Sequence, residues 1–66
     1  MKITVNSAPM EVSGTVADLL EARTGERRPS GIAVAVDEEI VPRDDWARWQ
    51  LQDGHVVEIV TAVQGG

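Results

Sequence analysis

Residues 14–25 read Gly-Thr-Val-Ala-Asp-Leu-Leu-Glu-Ala-Arg-Thr-Gly, and this stretch predicts the one main helix of the chain. Thr15 is a favourable N-cap residue, and Asp18 three positions later forms a weak capping box that also suits the positive end of the helix dipole. Apolar residues recur between them at helical spacing, and Gly25 is a natural C-terminal stop. The helix is therefore bounded at both ends by its own sequence.

A β-hairpin is predicted on the N-terminal side of this helix. Lys2 to Asn6 alternates polar and apolar residues, as a half-buried strand does, and Met10 to Ser13 alternates again. Between them, Ser7-Ala8-Pro9 has the composition of a turn. The chain thus opens with two short antiparallel strands.

Two strands are predicted directly after the helix. Gly31 to Val36 is a short, continuous, partly β-branched apolar run, which indicates a strand that is apolar on both faces. Asp37-Glu38-Glu39 is a predicted turn, and Ile40-Val41 is a short strand that Pro42 ends. The outer face of the apolar run, or that of the last strand, is a candidate docking patch.

The remaining third of the chain predicts a short helical turn and a final strand. Asp44 or Asp45 could cap one turn that carries Trp46 and Trp49 at i, i+3. We interpret both tryptophans as closing one end of the core; the alternative is a partly exposed interface anchor. Leu51 is a further core candidate, Asp53-Gly54 a turn, and Val56 to Val63 the last strand, with Val57 and Ile59 on one face.

This order of elements predicts an α+β fold. One helix laid across one sheet buries both apolar faces, and a helix between strands permits a parallel crossover. We expect a mixed sheet of four to five strands packed on one main helix, with the first and last strands central and parallel. That is the β-grasp, or ubiquitin-like, architecture. Residues 1–66 are expected to form a single domain.

Composition excludes several classes of function. The net charge is −5 and Lys2 is the only lysine, so we expect no nucleic-acid binding. The chain has no cysteine, and hence no thiolate nucleophile or soft metal ligand. No apolar signal region or stretch of membrane-spanning length occurs. We expect a cytoplasmic protein without membrane contact.

Catalytic groups are scarce in this sequence. His55 is the only histidine and is interpreted as a solvated turn residue. Asp37-Glu38-Glu39 and Asp44-Asp45 are interpreted as a solvated turn and as helix capping, rather than as a cation site or an acid/base pair, and Arg27-Arg28 as a solvated basic spot. No Walker-type glycine loop is present. We therefore predict no catalytic residue, no metal site and no cofactor bound by this chain.

The last residues, Gly65-Gly66, follow the predicted final strand almost directly. At a glycine frequency of about 7%, two terminal glycines arise by chance in about 0.5% of sequences. Glycine has no Cβ, so such a tail can thread a narrow passage, and three to four residues extend roughly 10–14 Å. The alternative is the frayed end of a finished strand. We predict that residues 63–66 form a flexible tail whose terminal carboxylate is the reactive group.

The whole chain resembles the ThiS family of sulfur carriers in thiamine biosynthesis. The likeness lies in the order and spacing of four motifs, which are Ile32-Ala33-Val34-Ala35-Val36, Ile40-Val41-Pro42-Arg43 with Trp46-Ala47, Asp53-Gly54, and Val60-Thr61-Ala62-Val63-Gln64-Gly65-Gly66. Two positions depart from the family's common pattern. Asp37 stands where asparagine is common, and His55 where aspartate is common.

The resemblance implies a carrier that is not itself an enzyme. A ubiquitin-activating-like enzyme would adenylate the Gly66 carboxylate with ATP, and sulfur from a cysteine desulfurase or another donor would convert it to a thiocarboxylate. Thiazole synthase would then take that sulfur. Gly65 would be the slender neighbour of Gly66, and docking into partner active sites would involve Ala62, Val63 and Gln64.

Three alternatives remain open at this stage. The chain could be the related carrier for molybdopterin synthase, although those proteins are usually longer and often have paired prolines before the tail. It could be a ubiquitin-like tag that is joined to target lysines. It could also be an interaction module whose terminal glycines are incidental.

Overall fold

The computed structural model of the chain describes residues 1–61, which form one mixed sheet and one main helix. The elements are β1 (Lys2–Val5), β2 (Ala8–Glu11), α1 (Val16–Thr24), β3 (Ile32–Val36), β4 (Glu39–Val41), a 3-10 helix (Arg43–Asp45) and β5 (Val56–Thr61). The sheet order is β2-β1-β5-β3-β4, in which β1 and β5 are parallel and the other neighbours are antiparallel. The predicted α+β class, the mixed sheet and the interior parallel pairing of the first and last strands are confirmed.

Both ends of α1 are set by the residues that the sequence indicated. The Thr15 hydroxyl accepts a hydrogen bond from the Asp18 amide at 3.2 Å, and the Asp18 carboxylate accepts one from the Thr15 amide at 2.9 Å. The backbone hydrogen bond from Thr15, reinforced by Arg27, holds the pKa of Asp18 below its usual value. At the other end Gly25 has a φ of 88°, and its amide donates to Glu21 O at 2.8 Å. The capping box and the glycine stop are confirmed.

The first amides of α1 also bind a segment that is distant in sequence. The Val16 amide donates to Trp49 O at 3.1 Å, and the Ala17 amide donates to Trp46 O at 2.9 Å. Because the Thr15 amide binds the Asp18 carboxylate and the Asp18 amide binds the Thr15 hydroxyl, all four N–H groups that a helix leaves unpaired at its start have a partner. The segment after the 3-10 helix is therefore fastened to the helix N-terminus.

One hydrophobic core lies between α1 and the sheet. Trp46 is its largest buried side chain, with 1% of its surface exposed, and its indole Nε1 donates to Val41 O at 3.1 Å. The interpretation as a core-closing residue is confirmed for Trp46, whereas Trp49 packs against the core and stays partly exposed. The buried residues are Ile3, Val5, Val16, Ala17, Leu19, Leu20, Val34, Val36, Val41, Trp46, Leu51 and Val57.

The first turn is shorter than the sequence indicated. The prediction of a turn at Ser7-Ala8-Pro9 is wrong, because the turn is formed by Asn6 and Ser7, both with positive φ, and Ala8 and Pro9 already belong to β2. Two-residue hairpin turns need positive φ, which asparagine tolerates. Proline is acceptable in β2 because this strand lies at the edge of the sheet.

The prediction that Asp44 or Asp45 caps a helical turn is also wrong. The 3-10 helix follows Pro42 and has no side-chain cap. Asp44 instead binds Arg28 at 3.0 Å, and Asp45 binds Arg48 at 2.8 Å. Both pairs are exposed, where such ion pairs contribute little to stability.

Candidate functional site

The residues predicted to carry the chemistry lie outside the described part of the chain. The structure describes residues 1–61, and the strand that precedes the predicted site, β5, ends at Thr61. The position and the surroundings of β5 are therefore what the structure contributes to the site. The predicted residues that fall outside are Ala62, Val63, Gln64, Gly65 and Gly66.

β5 is an interior strand that is held on both sides. It pairs with β3 over five residues, from Val36↔Val57 to Ile32↔Thr61, whereas its parallel pairing with β1 covers only Thr4↔Val56 and Val5↔Val57. Val57 is buried and Ile59 packs against the core, which confirms that these two residues share the inner face. The strand leading to the predicted tail is consequently anchored in the centre of the sheet.

The side chain of Asn6 extends the short pairing between β1 and β5. Its Nδ2 donates to Ile59 O at 3.2 Å, and its Oδ1 accepts from the Ile59 amide at 2.8 Å. The carboxamide therefore acts like one more residue of strand, two positions beyond the last backbone pair. The sequence interpretation missed this role. Asparagine at the end of a strand was the available signal, since it tolerates positive φ and bonds nearby backbone.

Asn6→Gly is expected to lower the free energy of unfolding by about 1–2 kcal/mol, because two hydrogen bonds to β5 are lost. Glycine keeps the positive φ of Asn6, so the loss reflects the side chain rather than backbone strain. Urea unfolding measures the change, and hydrogen exchange should show faster exchange of the Ile59 amide. Ser7→Gly is the control, since it alters the same turn without touching β5. Equal stability of Asn6→Gly and the wild type would contradict the role of Asn6.

Asp37 and His55, the two departures from the family pattern, lie beside each other near the start of β5. Asp37 Oδ1 accepts from the Val56 amide at 2.9 Å, and Asp37 Oδ2 is 3.9 Å from His55 Nε2. His55 Nδ1 accepts from the Gln52 amide at 3.1 Å, so the proton of the neutral ring is on Nε2, facing Asp37. The interpretation of His55 as a solvated residue is wrong, since its side chain is only 20% exposed. The His55 side chain lies between the turn before β5 and the turn between β3 and β4.

The face of the sheet opposite α1 carries exposed apolar side chains, with Glu58 between Val56 and Val60. We call it the outer sheet face and define it by Ala33, Ala35, Ile40, Val56 and Val60. Strand register places Ala33 opposite Val60, and Ala35 opposite Ile40, so these side chains share one surface across β4, β3 and β5. At one end of this face is a cavity of about 360 Å³, which is lined by Asp37, Glu38, Val56 and Glu58.

Other candidate groups are dispersed over the described structure. Within residues 1–61, no group of three or more histidine, aspartate or glutamate side chains is arranged to hold a metal ion. Arg27 contacts Asp18 and Glu21, and the hydrogen bond that Arg27 donates to Asp18 raises the pKa of Arg27. Arg28 is paired with Asp44. No helix in the described part is long and apolar enough to cross a membrane.

Comparison with known proteins gives one consistent family. The sequence model of the ThiS family matches residues 3–66. The chain is 35% identical over 68 residues to the sulfur carrier protein ThiS of Escherichia coli (strain K12), with all of both chains covered. A crystal structure of the thiamine biosynthesis protein ThiS from Geobacter metallireducens is similar with a TM-score of 0.82 at 28% identity, again over all of both chains. The solution structure of a thiamine biosynthesis protein from the same organism gives 0.74 at 28% identity, covering all of this chain and 88% of the other.

Proposed function

This chain belongs to the ThiS family, and from that membership we propose that it carries sulfur for thiazole formation in thiamine biosynthesis, as a thiocarboxylate on Gly66. The observation that carries the proposal is that the family match runs along the chain to Gly66 itself. The similarity to relatives named as sulfur carrier and thiamine biosynthesis proteins supports the same cargo and the same pathway.

The chemistry of the chain assigns the reactive steps to partner proteins. A carboxylate is a poor electrophile, so an adenylating enzyme of the ubiquitin-activating type is required to join the Gly66 carboxylate to AMP from ATP, releasing pyrophosphate. The chain has no cysteine, so a cysteine desulfurase or another donor must supply the sulfur that displaces AMP. Sulfide gives the thiocarboxylate directly, whereas a desulfurase persulfide gives an acyl disulfide whose S–S bond a thiol must then reduce. Thiazole synthase then receives the sulfur. The domain is a carrier and a protein co-substrate, and we propose that it acts in the cytoplasm.

The position of β5 supports this division of roles. The strand is held by β1, β3 and the Asn6 side chain, and its last described residue is Thr61. Five residues, 62–66, follow it and span at most about 17–18 Å when extended. Gly66 can therefore reach that far from a fixed strand into a partner's active site. Gly65 adds no side chain to the tail. Docking into the partner's active site would also involve Ala62, Val63 and Gln64.

Intact mass spectrometry tests the proposal. The chain is incubated with ATP, the adenylating enzyme and a sulfur donor, and the expected product has the mass of one oxygen replaced by sulfur. Deletion of Gly66 is expected to abolish this product without altering thermal unfolding. An unchanged mass of the wild-type chain, or sulfur incorporation that persists after the deletion, would overturn the proposal.

Two further measurements separate the related alternatives. The loaded chain is expected to support thiazole formation by thiazole synthase and not sulfur transfer by molybdopterin synthase; the reverse would identify a molybdopterin carrier. Cell extracts that contain the tagged chain are expected to show no stable conjugates of higher mass. Stable isopeptide conjugates would instead identify a ubiquitin-like tag.

A further inference from the structure

The boundary between β1 and β5 joins two parts of the sheet, the β1–β2 hairpin and the group of β3, β4 and β5. Backbone pairing across this boundary ends at Val5↔Val57, and the Asn6 amide adds one hydrogen bond to Val57 O at 2.9 Å. β5 continues beyond that point to Thr61. We call residues 58–61 the tail-side end of β5, because they lead to the predicted tail and lie past the last backbone pair with β1.

The Asn6 carboxamide is what connects the hairpin to the tail-side end of β5. Within residues 1–61, the hydrogen bonds between these two parts are the pair that Asn6 forms with the Ile59 amide at 2.8 Å and the Ile59 carbonyl at 3.2 Å. On its other side this end of β5 pairs with β3 as far as Ile32↔Thr61. Without the carboxamide, the tail-side end of β5 would be held by β3 alone. Strand ends with fewer hydrogen bonds open locally at a lower free energy.

The backbone conformation of residue 6 explains why asparagine is suited to this contact. Its φ of 49° lies in the left-handed region, which glycine and asparagine adopt more readily than other residues. The main chain therefore turns away into the hairpin at Asn6 while the side chain continues towards β5. A carboxamide has the same donor and acceptor as a peptide group, so it pairs with both backbone groups of Ile59. Glycine would allow the turn but would leave Ile59 without this partner.

The position of β5 matters for Gly66 because only five residues separate Gly66 from Thr61. A shift at the start of so short a segment is passed on to its end, and a misplacement of about 1 Å can slow a reaction that needs precise orientation by about 100-fold. A fixed start also leaves fewer degrees of freedom to be lost when the tail enters an active site. The bonds between Asn6 and Ile59 therefore bear on how efficiently Gly66 reacts.

We propose that Asn6 is a positioning residue for the carrier reaction: its carboxamide fixes the tail-side end of β5 and thereby raises the rate at which partner enzymes act on Gly66. This proposal rests on the proposed function, which supplies the reaction. Asn6 acts through Ile59 and not on the reacting atoms. Because the effect is internal to the carrier, it is expected with the adenylating enzyme and with thiazole synthase alike.

Asn6→Gly tests the proposal through the separation of kcat from KM. With the adenylating enzyme, both constants for the full-length chain are measured by ATP–pyrophosphate exchange. With thiazole synthase, they are measured on chains whose complete sulfur loading is checked by intact mass. We expect kcat to fall about fivefold with each enzyme and KM to change less than twofold, since positioning is lost after the chain has bound. Asn6 is exposed, so direct contact with a partner is the competing explanation. A raised KM with unchanged kcat, or a loss with one enzyme only, would identify such a contact and overturn the proposal.

Two control variants separate positioning from stability. Ser7→Gly alters the same turn and keeps the carboxamide, and Gly25→Ala introduces strain at the C-terminal end of α1, away from β5. Both are expected to retain the wild-type kcat. Hydrogen exchange gives a readout that does not depend on activity: the Ile59 amide should exchange faster in Asn6→Gly than in either control. If Gly25→Ala lowers kcat as much as Asn6→Gly does, the effect comes from global stability and the proposal is wrong.

The remaining outcomes distinguish this proposal from the proposed function. Adenylation of the wild-type chain combined with unchanged kcat values in Asn6→Gly would overturn the positioning role and leave the carrier function standing. Unchanged exchange of the Ile59 amide in Asn6→Gly would do the same, because the carboxamide would then not hold β5. A wild-type chain that the adenylating enzyme does not adenylate would overturn both proposals.

Discussion

Replacing Trp46 with alanine is expected to lower the free energy of unfolding by about 3–5 kcal/mol, which is the usual cost of removing a large aromatic side chain from a core. Domains of this size have a total stability of only a few kcal/mol, so much of the variant should be unfolded at 25 °C. Trp46 is 1% exposed, and its indole also donates to Val41 O at 3.1 Å. Circular dichroism during urea unfolding measures the loss.

Two further variants test how the loss of stability in Trp46→Ala depends on the indole and its buried position. Trp46→Phe keeps a buried six-membered ring but loses the rest of the indole and the hydrogen bond to Val41, and it should lower the free energy of unfolding by about 1–3 kcal/mol. Trp49→Ala is the control, because it removes an indole from a half-buried position. It should lower the free energy of unfolding by less than Trp46→Ala does. A cost for Trp46→Ala no larger than that for Trp49→Ala would contradict the central place of Trp46 in the core.

Gly14→Ala is expected to lower the free energy of unfolding by about 2–4 kcal/mol, through backbone strain and loss of the helix cap. Gly14 has a φ of +98°, and a Cβ placed there would overlap Asp18 Oδ2, the oxygen that accepts from the Thr15 amide and hydroxyl. The capping carboxylate would have to move away, which leaves the Thr15 amide without its partner. Thermal and urea unfolding measure the change.

Gly25→Ala provides the matched control for Gly14→Ala. Gly25 has a similar φ of +88°, but a Cβ there would meet nothing within 4 Å. Its cost, about 1 kcal/mol, should reflect backbone strain alone. In an Asp18→Ala background the cost of Gly14→Ala should fall towards that of Gly25→Ala. If the two glycines cost the same in the wild-type background, overlap with Asp18 is not the cause.

The most accurate sequence predictions concern features that depend on neighbouring residues. The helix cap needs only Thr15, Asp18 and Gly25, all within a few positions of the helix ends, so composition and spacing were sufficient. The position of the hairpin turn was harder to predict from the sequence, because Pro9 is typical of a turn while Asn6 and Ser7 supply the positive φ. Proline is tolerated in β2 only because that strand lies at a sheet edge, and edge position is a property of the assembled sheet.

For the candidate site, too, the sequence predicted some features and the structure added others. The assignment of Gly66 and the residues before it rests on the sequence and on family membership, and it stays a prediction because those residues lie outside the described part of the chain. The structure adds what surrounds β5. The Asn6 contact with Ile59 spans 53 positions, and the approach of His55 to Asp37 depends on two turns that pack against each other. Asparagine at the end of a strand is a local signal, but the distant partner in such a contact has no local signature.

The sequence alone determined the element order and the ends of α1, because capping and hydrophobic periodicity act over a few residues. The terminal glycines are likewise a property of the sequence itself. Only the tertiary structure decided which apolar face is covered. Gly31 to Val36 is apolar on both faces, although its larger side chains lie on one face and its alanines on the other. The single helix covers one of them and buries Val34 and Val36, while Ala33 on the other face remains exposed. Burial depends on what packs against a strand, and packing is fixed by the arrangement of the whole chain.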